Sequence, residues 1–449
     1  MLIRVYEYGL DQYTIYCKGA PERVLQKCNL DAEIKKLILN QIRQLAQMGQ
    51  RILGVAHAKI KRENLPESAS DLKLNWVGLL GFEDPIRPEV PEALQHCNQA
   101  GIRVILITGD YPETAQSIAK QAGLTLTQVA FTGDLMDQVN AEDFTRTIAS
   151  SNVFARIRPE QKLRLVEELQ KQGEVVAMTG DEVNDAPALK QADIGIAMGE
   201  KGTDVALESA DLVLLDDNFK SIVAAIRMGR KIFDNLQKVL SYITAIHIPI
   251  IGLTLVPAFF SEIPVLLLPL HIVFLELIID PVCALAFESE QEELDLMQRP
   301  PRNLSVSFFG LNNFLQSVWS SALLWSMVLV VVLITMKQGY SEGQIRALGF
   351  TTLILGNVFL IFTTLTKTRG LWRTITEKNK ILWAILTTAV ALLTAILFIP
   401  YLRDIFGFEM LNSWSFLISL SGALGVLLIL EVTRRLGKQF GLKISGFTQ

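Results

Sequence analysis

The 449-residue sequence predicts an α/β globular half followed by an all-α membrane half, and three observations carry that expectation. The composition is 50% hydrophobic and 20% charged, with a mean hydropathy of +0.32, which is more apolar than soluble domains and far from disordered chains. The apolar excess is concentrated in residues 237–449, which carry repeated runs of about 20 residues, the length that crosses a bilayer. Between residues 103 and 215, short apolar segments alternate with helical ones, the pattern of a parallel sheet covered on both faces. The formal net charge is -4 and no basic cluster occurs, so nucleic acid is not expected as a partner. Cys17, Cys28, Cys97 and Cys283 lie far apart with no CxxC pair, which fits a reduced cytosol and no zinc or disulfide framework.

The first element is MLIRVYEYGLDQYTIYCKG, whose apolar and polar residues alternate as in a β-hairpin turning near Gly9–Asp11. That alternation differs from the basic start and apolar block of a leader. Pro21 to Met48 has apolar residues at helical spacing, including Val24, Leu25, Ile38 and Ile42. Strands are expected at Arg51–His57 and Trp76–Gly81. DPIRPEVP, residues 84–91, holds three prolines and reads as a hinge. Five parallel strands follow, at Arg103–Ile107, Val153–Ala155, Glu174–Met178, Ile194–Ala197 and Leu212–Leu215, with a helix from Pro159 to Lys171. The expected domains are 1–83, 84–236 and 237–449.

Ligands of parallel sheets bind at the carboxyl ends of the strands, and two polar motifs sit there. Thr108-Gly109-Asp110 follows the first strand, and Thr179-Gly180-Asp181-Glu182-Val183-Asn184-Asp185 follows the third. Backbone N–H groups and a hydroxyl at a strand end cradle phosphate. Asp181 and Asp185 offer the oxygen ligands that Mg²⁺ prefers. Lys162, on the helix between the motifs, is either a phosphate-facing cation or part of a solvated helix face.

Six spans are expected in the membrane half, at about 239–260, 264–287, 313–336, 347–366, 381–401 and 414–433. Basic residues in 367–380 and in the tail from Arg434 put those loops, both termini and the globular half on the cytoplasmic side. Glu276 and Asp280 lie mid-span, four residues apart on one helix face. Each charge there costs roughly 2.5–3.5 kcal/mol on insertion, so it needs a reason. Pro281 follows and leaves the carbonyl of Leu277 without its helical partner. Free carbonyls beside two carboxylates make a cation site. His247, near Pro249 in the preceding span, either lines the same site or is an interhelical hydrogen-bonding histidine.

At these residues the sequence resembles the cation-transporting P-type ATPases, in particular their calcium-pump-like branch. KGAPE (Lys18–Glu22), GQRILGVA (with Arg51), DPIRPEV, ITGDYPETA, FARIRPEQK, TGDEVNDAPALKQADIGIAMG and ELIIDP are similar to that family's motifs, in order, over about residues 2–435. The resemblance implies a haloacid-dehalogenase-like phosphorylation domain, part of an α+β nucleotide-binding domain, and transmembrane helices five to ten. It implies that Lys18 and Arg51 contact ATP, that Thr108 and Gly109 hold phosphate beside Asp110, and that Lys162 contacts phosphate. It also implies that Asp181 ligates Mg²⁺, that Asn184 and Asp185 support the phosphate site, and that Glu276 and Asp280 meet the transported cation. A multi-pass protein of the cell membrane is implied, its partners being the lipid bilayer and the cation.

Departures from the pattern narrow this expectation. No DKTGT motif, which carries the phosphorylated aspartate, and no TGE motif occurs in the chain. The fourth-helix ligand motif is also missing, so the expected partner is the N-terminal half of such a pump, and the chain by itself is expected to be inactive. Glu182 replaces the family's glycine; it is either a surface residue at a helix N-terminus or a carboxylate that crowds Mg²⁺. Ile250 falls where two-site calcium pumps carry a glutamate, so one cation is expected. A Glu/Asp pair suits Ca²⁺ or Mn²⁺, with Na⁺ and H⁺ as alternatives. The rival function is of another class: a non-catalytic membrane-embedded binding or regulatory module that keeps the pump fold.

Overall fold

A computed structural model describes residues 1–7, 11–66, 68, 71–279, 285–303, 307–365 and 380–439. Two compact units result, Met1–Ala225 with Met297–Pro300, and Ile226–Leu296 with Pro301–Gln449.

The first unit opens with an antiparallel sheet in the order β1-β2-β3-β4, formed by Leu2–Glu7, Gln12–Gly19, Arg51–Lys61 and Asn75–Phe82. β1 pairs with β2 from Leu2↔Lys18 to Glu7↔Tyr13, so the hairpin forms as its alternation requires, while Tyr8–Leu10 of the expected turn lie outside the described residues. Ile15, Cys17, Ala56 and Ala58 point to one face and bury against Val24 and Cys28. The helix expected over Pro21–Met48 is two helices, α1 (Pro21–Gln26) and α2 (Ala32–Gln47). The break has a physical cause: Leu74 donates its N–H to the Lys27 carbonyl at 2.9 Å, and Cys28 bridges Leu74, so the chain there pairs like a strand.

The remainder of this unit alternates strands and helices. β5 (Leu106–Ile107), β6 (Phe131–Thr132) and β7 (Val153–Ala155) pair parallel in the order β5-β7-β6. β8 (Ala177–Gly180), β9 (Ile194–Met198) and β10 (Leu212–Leu214) pair parallel in the order β10-β9-β8. The expected parallel architecture is present, although as two three-stranded ladders rather than one sheet. Their cores are joined by side chains: Ile107 and Val176 pack against both the Phe144/Phe154 cluster and the Val166/Leu189 cluster. Two strands are displaced from expectation. Val104 and Ile105 precede the paired part of β5, and β8 begins at Ala177, three residues beyond Glu174. Helices α3 (Val90–Gln99), α4 (Pro112–Gln121), α5 (Gly133–Gln138), α6 (Ala141–Ser150), α7 (Pro159–Lys171), α8 (Ala186–Gln191) and α9 (Asp204–Ser209) connect them. α7 has the expected bounds because Pro159 sits at its first turn, where a missing N–H loses nothing.

A 41-residue helix, α10 (Phe219–Phe259), contains Pro249 and Pro257. Pro249 removes the N–H that would pair with the Ala245 carbonyl. The Ser321 hydroxyl lies 2.9 Å from that oxygen and supplies the missing donor. Ser321 belongs to α12 (Leu311–Lys337), which precedes α13 (Glu342–Leu365), α14 (Lys380–Phe398), α15 (Pro400–Ile405) and α16 (Ser413–Gln439). Among the described residues five helices are long and apolar enough to cross a membrane, namely α10, α12, α13, α14 and most of α16. This is the apolar helical bundle of an integral membrane protein. α13 is its core, 83% buried over its most apolar stretch.

The expected span 264–287 is corrected. It starts later than 264: α11 (Pro269–Phe274) continues directly into a π-helical turn at Leu275–Ile279. Residues 264–268 are not helical, because Pro269 starts the helix and the His271 ring caps its N-terminus by accepting the Leu268 N–H at 3.1 Å. Residues 280–284, which include Asp280, Pro281 and Cys283, lie outside the described residues, as does most of the basic loop 367–380.

Candidate functional site

The phosphate-type motifs lie at the carboxyl ends of β5 and β8. After β8 the chain turns sharply, so that Asp185, 3% exposed, folds back under Gly180. A Cβ on Gly180 would stand 2.5 Å from the Asp185 Cβ, which is why only glycine fits there. Asp185 Oδ2 accepts the backbone N–H groups of Asp181 and Glu182 at 3.3 and 3.4 Å. Its Oδ1 accepts from Lys162 Nζ at 2.5 Å. The Lys162 side chain is 19% exposed, so it is a half-sequestered ion-pair partner and not a solvated helix face.

Both Asp185 oxygens are therefore engaged inside the protein. In this arrangement Asp185 holds both the loop and the lysine. Asp181, Glu182 and Asn184 are exposed on the same loop, and Thr203 donates its N–H to the Asp181 carbonyl at 2.9 Å. Among the described residues no three His, Cys, Asp or Glu side chains converge as a metal cage. Asp181 presents an exposed carboxylate on this loop, an oxygen donor of the kind Mg²⁺ prefers. Glu182 has φ -103° and ψ 159°, a conformation open to any residue, so its departure from glycine strains nothing.

Thr108 and Asp110 form a closed turn. The Thr108 hydroxyl accepts the Asp110 N–H at 3.1 Å and donates to Asp110 Oδ2 at 3.1 Å. A Cβ on Gly109 would meet nothing within 4 Å, so the turn's apex is open to solvent. Arg51 Nε stands 3.6 Å from Asp110 Oδ1, which brings this pair of predicted residues together. Lys18 pairs opposite Val55 on β3 and so lies on the same exposed sheet face as Arg51, about 13 Å along the strand.

A neighbouring group was quoted in the sequence motifs without an assigned role. Arg156 occupies the left-handed region at φ 53°, rare for a non-glycine, and places its guanidinium 4.4 Å above the Tyr111 ring. It pairs with Glu22 of the KGAPE segment at 2.5 Å, and the Tyr111 hydroxyl also donates to Glu22. Burial, then the hydrogen bond to Glu22, pushes the Tyr111 phenol above its ordinary pKa. Burial works against the Arg156 charge, but Glu22 outweighs it and raises the guanidinium pKa. The only sequence signal was the placement of Glu22 and Arg156 inside matching motifs, because their contact spans 134 residues.

The second candidate site is in the helical unit. His247 Nδ1 donates to the Ile243 carbonyl at 2.8 Å, and Nε2 faces the Glu276 carboxylate at 3.2 Å. Glu276 belongs to the π-helical turn, a local irregularity often found at functional sites. So His247 and Glu276 are brought together, while Asp280 lies outside the described residues.

Comparisons with known proteins follow this division. The family described as "Cation transporting ATPase, C-terminus" matches residues 264–436. Two families of "haloacid dehalogenase-like hydrolase" match residues 21–193 and 161–226. A "Calcium-transporting ATPase" of Bacillus subtilis (strain 168) is 33% identical over 405 residues, which is 87% of this chain and 45% of that protein. The "Sodium/potassium-transporting ATPase subunit alpha-3" of Gallus gallus is 38% identical over 340 residues, 65% of this chain and 34% of that protein. The corresponding alpha subunit of Tetronarce californica is 38% identical over 338 residues, with shares of 65% and 33%. The chain thus spans between 33% and 45% of the length of these relatives. It is homologous to the P-type cation-transporting ATPases, and its fold is a haloacid-dehalogenase-like α/β unit followed by a membrane helix bundle.

Proposed function

We propose that this homologue of P-type cation-transporting ATPases is the C-terminal portion of an ATP-driven pump that moves a Ca²⁺-like cation through an aspartyl-phosphate cycle. The observation that carries this reading is Glu276, an acidic side chain in a π-helical turn of an apolar bundle, facing His247 at 3.2 Å. A carboxylate in such surroundings needs a partner, and a transported cation supplies one.

In this reading the loop Asp181–Asp185 and the turn Thr108–Asp110 receive the phosphoryl group, with Lys162 neutralising charge and Asp185 fixing the position of Lys162. Mg²⁺, held by Asp181, would neutralise phosphate charge when bound. Lys18 and Arg51 bind ATP from the exposed sheet face. Asn184, on the surface of the same loop, supports the phosphate. Glu276, His247 and Asp280 take the cation. The nucleophilic aspartate comes from a complementary N-terminal half carrying DKTGT, because covalent catalysis needs the nucleophile and not only the groups around it. The pump sits in the cell membrane with both termini of this chain in the cytoplasm. The alternative, a non-catalytic binding or regulatory module, draws on one feature, the absence of DKTGT from the sequence.

Acid-quenched phosphorylation with labelled ATP separates the two. The chain by itself gives no hydroxylamine-sensitive band. Co-reconstituted with a segment carrying DKTGT, TGE and four spans, it gives one that requires the cation and is lost in Glu276→Gln. A band from the chain alone, or a restored band indifferent to Glu276→Gln, would overturn the proposal.

A further inference from the structure

The segment that carries Glu276 is tied down at its amino end by a buried group of polar contacts. His271, fully buried, lies at the third position of α11. Its Nδ1 accepts the Leu268 N–H at 3.1 Å, which fixes the tautomer with the proton on Nε2. That Nε2–H donates to the Phe406 carbonyl at 2.8 Å, across 135 residues of sequence. The imidazole stacks on the Phe406 ring with centroids 5.5 Å apart and an 18° interplanar angle. Phe350 of α13 and Phe408 close the other sides at 4.9 and 4.8 Å.

Arg346 of α13 repeats the connection. Its Nε donates to the Val265 carbonyl at 3.0 Å and its Nη1 to the Gly407 carbonyl at 2.7 Å. Gly407 has φ +61°, and a Cβ on it would stand 3.1 Å from Leu268 Cδ1, so the turn is shaped to meet the start of α11. The amino end of α11 is thereby joined to α13 and to the 406–408 turn by directed bonds. About 9 Å further along, the π-helical turn begins and the carboxylate of Glu276 is met only by His247 among the bonds described.

We propose that His271 is a positioning residue for Glu276: it fixes the amino end of α11 to the 406–408 turn, so that the π-helical turn presents the carboxylate to His247. The link to cation binding rests on the function proposed above; the positional claim does not. A packing role needs only the ring's volume, whereas this role needs an acceptor for Leu268 N–H and a donor for the Phe406 carbonyl. Glutamine meets both needs, since Gln at the third helical position caps backward to the N-cap amide and keeps an NH₂ donor. Leucine meets neither.

The test uses the full chain in lipid nanodiscs, with Cys17, Cys28, Cys97 and Cys283 replaced by alanine and spin labels placed at exposed Leu255 of α10 and exposed Leu277. Dipolar EPR reads the distance distribution, and ⁴⁵Ca²⁺ binding is measured on the label-free variants. In the parent and in His271→Gln the distribution is single and narrow; in His271→Leu it broadens or shifts, and Ca²⁺ affinity falls at least tenfold in His271→Leu alone. An unchanged distribution in His271→Leu, or equal broadening in His271→Gln, overturns the proposal. The expected distance pattern without saturable Ca²⁺ binding in the parent, even when co-reconstituted with a segment carrying the four missing spans, supports the positioning role and refutes the cation reading of Glu276.

Discussion

Separating Lys162 from Asp185 should loosen the whole loop after β8. The Asp185 side chain is 5% exposed and that of Lys162 is 19%. Removing one member of a buried pair typically costs about 3–5 kcal/mol because the other charge stays behind. Lys162→Met belongs at the low end, about 3 kcal/mol, since the carboxylate keeps two backbone N–H donors, both long at 3.3 and 3.4 Å. Asp185→Ala should cost about 2–3 kcal/mol, because Lys162 can swing toward solvent while the two amides lose their acceptor. The double variant should cost about 3 kcal/mol, well below the sum, giving a coupling energy of about 2 kcal/mol. Amide hydrogen exchange of peptides covering 177–185 in the full chain reads this locally, without assuming a two-state transition for a two-unit protein. A loss of about 3 kcal/mol is roughly a hundredfold faster exchange, at 1.4 kcal/mol per factor of ten. If the two single variants add to within about 0.5 kcal/mol, the pair does not organise this loop and Asp185 must be assigned otherwise.

Three further expectations concern other places in the fold. Ser321→Ala leaves the Ala245 carbonyl without the donor that replaces Pro249's missing N–H, and thermal denaturation in detergent should show a loss of about 0.6–1.7 kcal/mol; no change would mean that water serves the carbonyl equally well. Burial raises the Cys17 and Cys28 thiol pKa values, so the unfolded state deprotonates first; stability is intact below the ordinary thiol range and declines as pH rises through it, and both thiols should resist maleimide at neutral pH. Rapid labelling of the folded chain at neutral pH would contradict that burial. Glu182→Gly should alter Mg²⁺ affinity by less than about threefold in calorimetric titration while lowering stability by about 0.5–1 kcal/mol through backbone entropy, and a tenfold gain in Mg²⁺ affinity would show that the carboxylate crowds the ion.

Local pattern and long-range pairing were unequally legible. β7 and α7 have the bounds that spacing and Pro159 imply, and the Thr-Gly-Asp turns fall at strand ends as the βαβ pattern requires. Glycine at 180 was visible, but its reason, the Asp185 Cβ at 2.5 Å, was not. Lys162 was ambiguous because helix periodicity does not say which polar residue finds a carboxylate. The break between α1 and α2 was hidden because Leu74 pairs with a segment that reads as helix. The start of α11 at Pro269 was hidden too, since hydropathy reports apolar length and not the capping by His271. Glu276 and His247 were recognisable as unusual residues in apolar spans, whereas the Ser321 donor for Ala245 and the Glu22–Arg156 pair depend on contacts that no local window contains.

The most direct test of the central claim is titration of Ca²⁺ and Mn²⁺ into the full chain, completed with its four missing spans in nanodiscs, with proton release followed in two buffers of different ionisation enthalpy. A carboxylate must be deprotonated to ligate a cation, so cation binding should weaken as pH falls. Binding should be saturable at one site and weakened at least tenfold in Glu276→Gln and in Asp280→Asn, with a smaller effect in His247→Ala. Equal affinity and equal proton release in the parent and in Glu276→Gln would make the pair a structural interhelical contact and contradict the assignment of this bundle to cation transport.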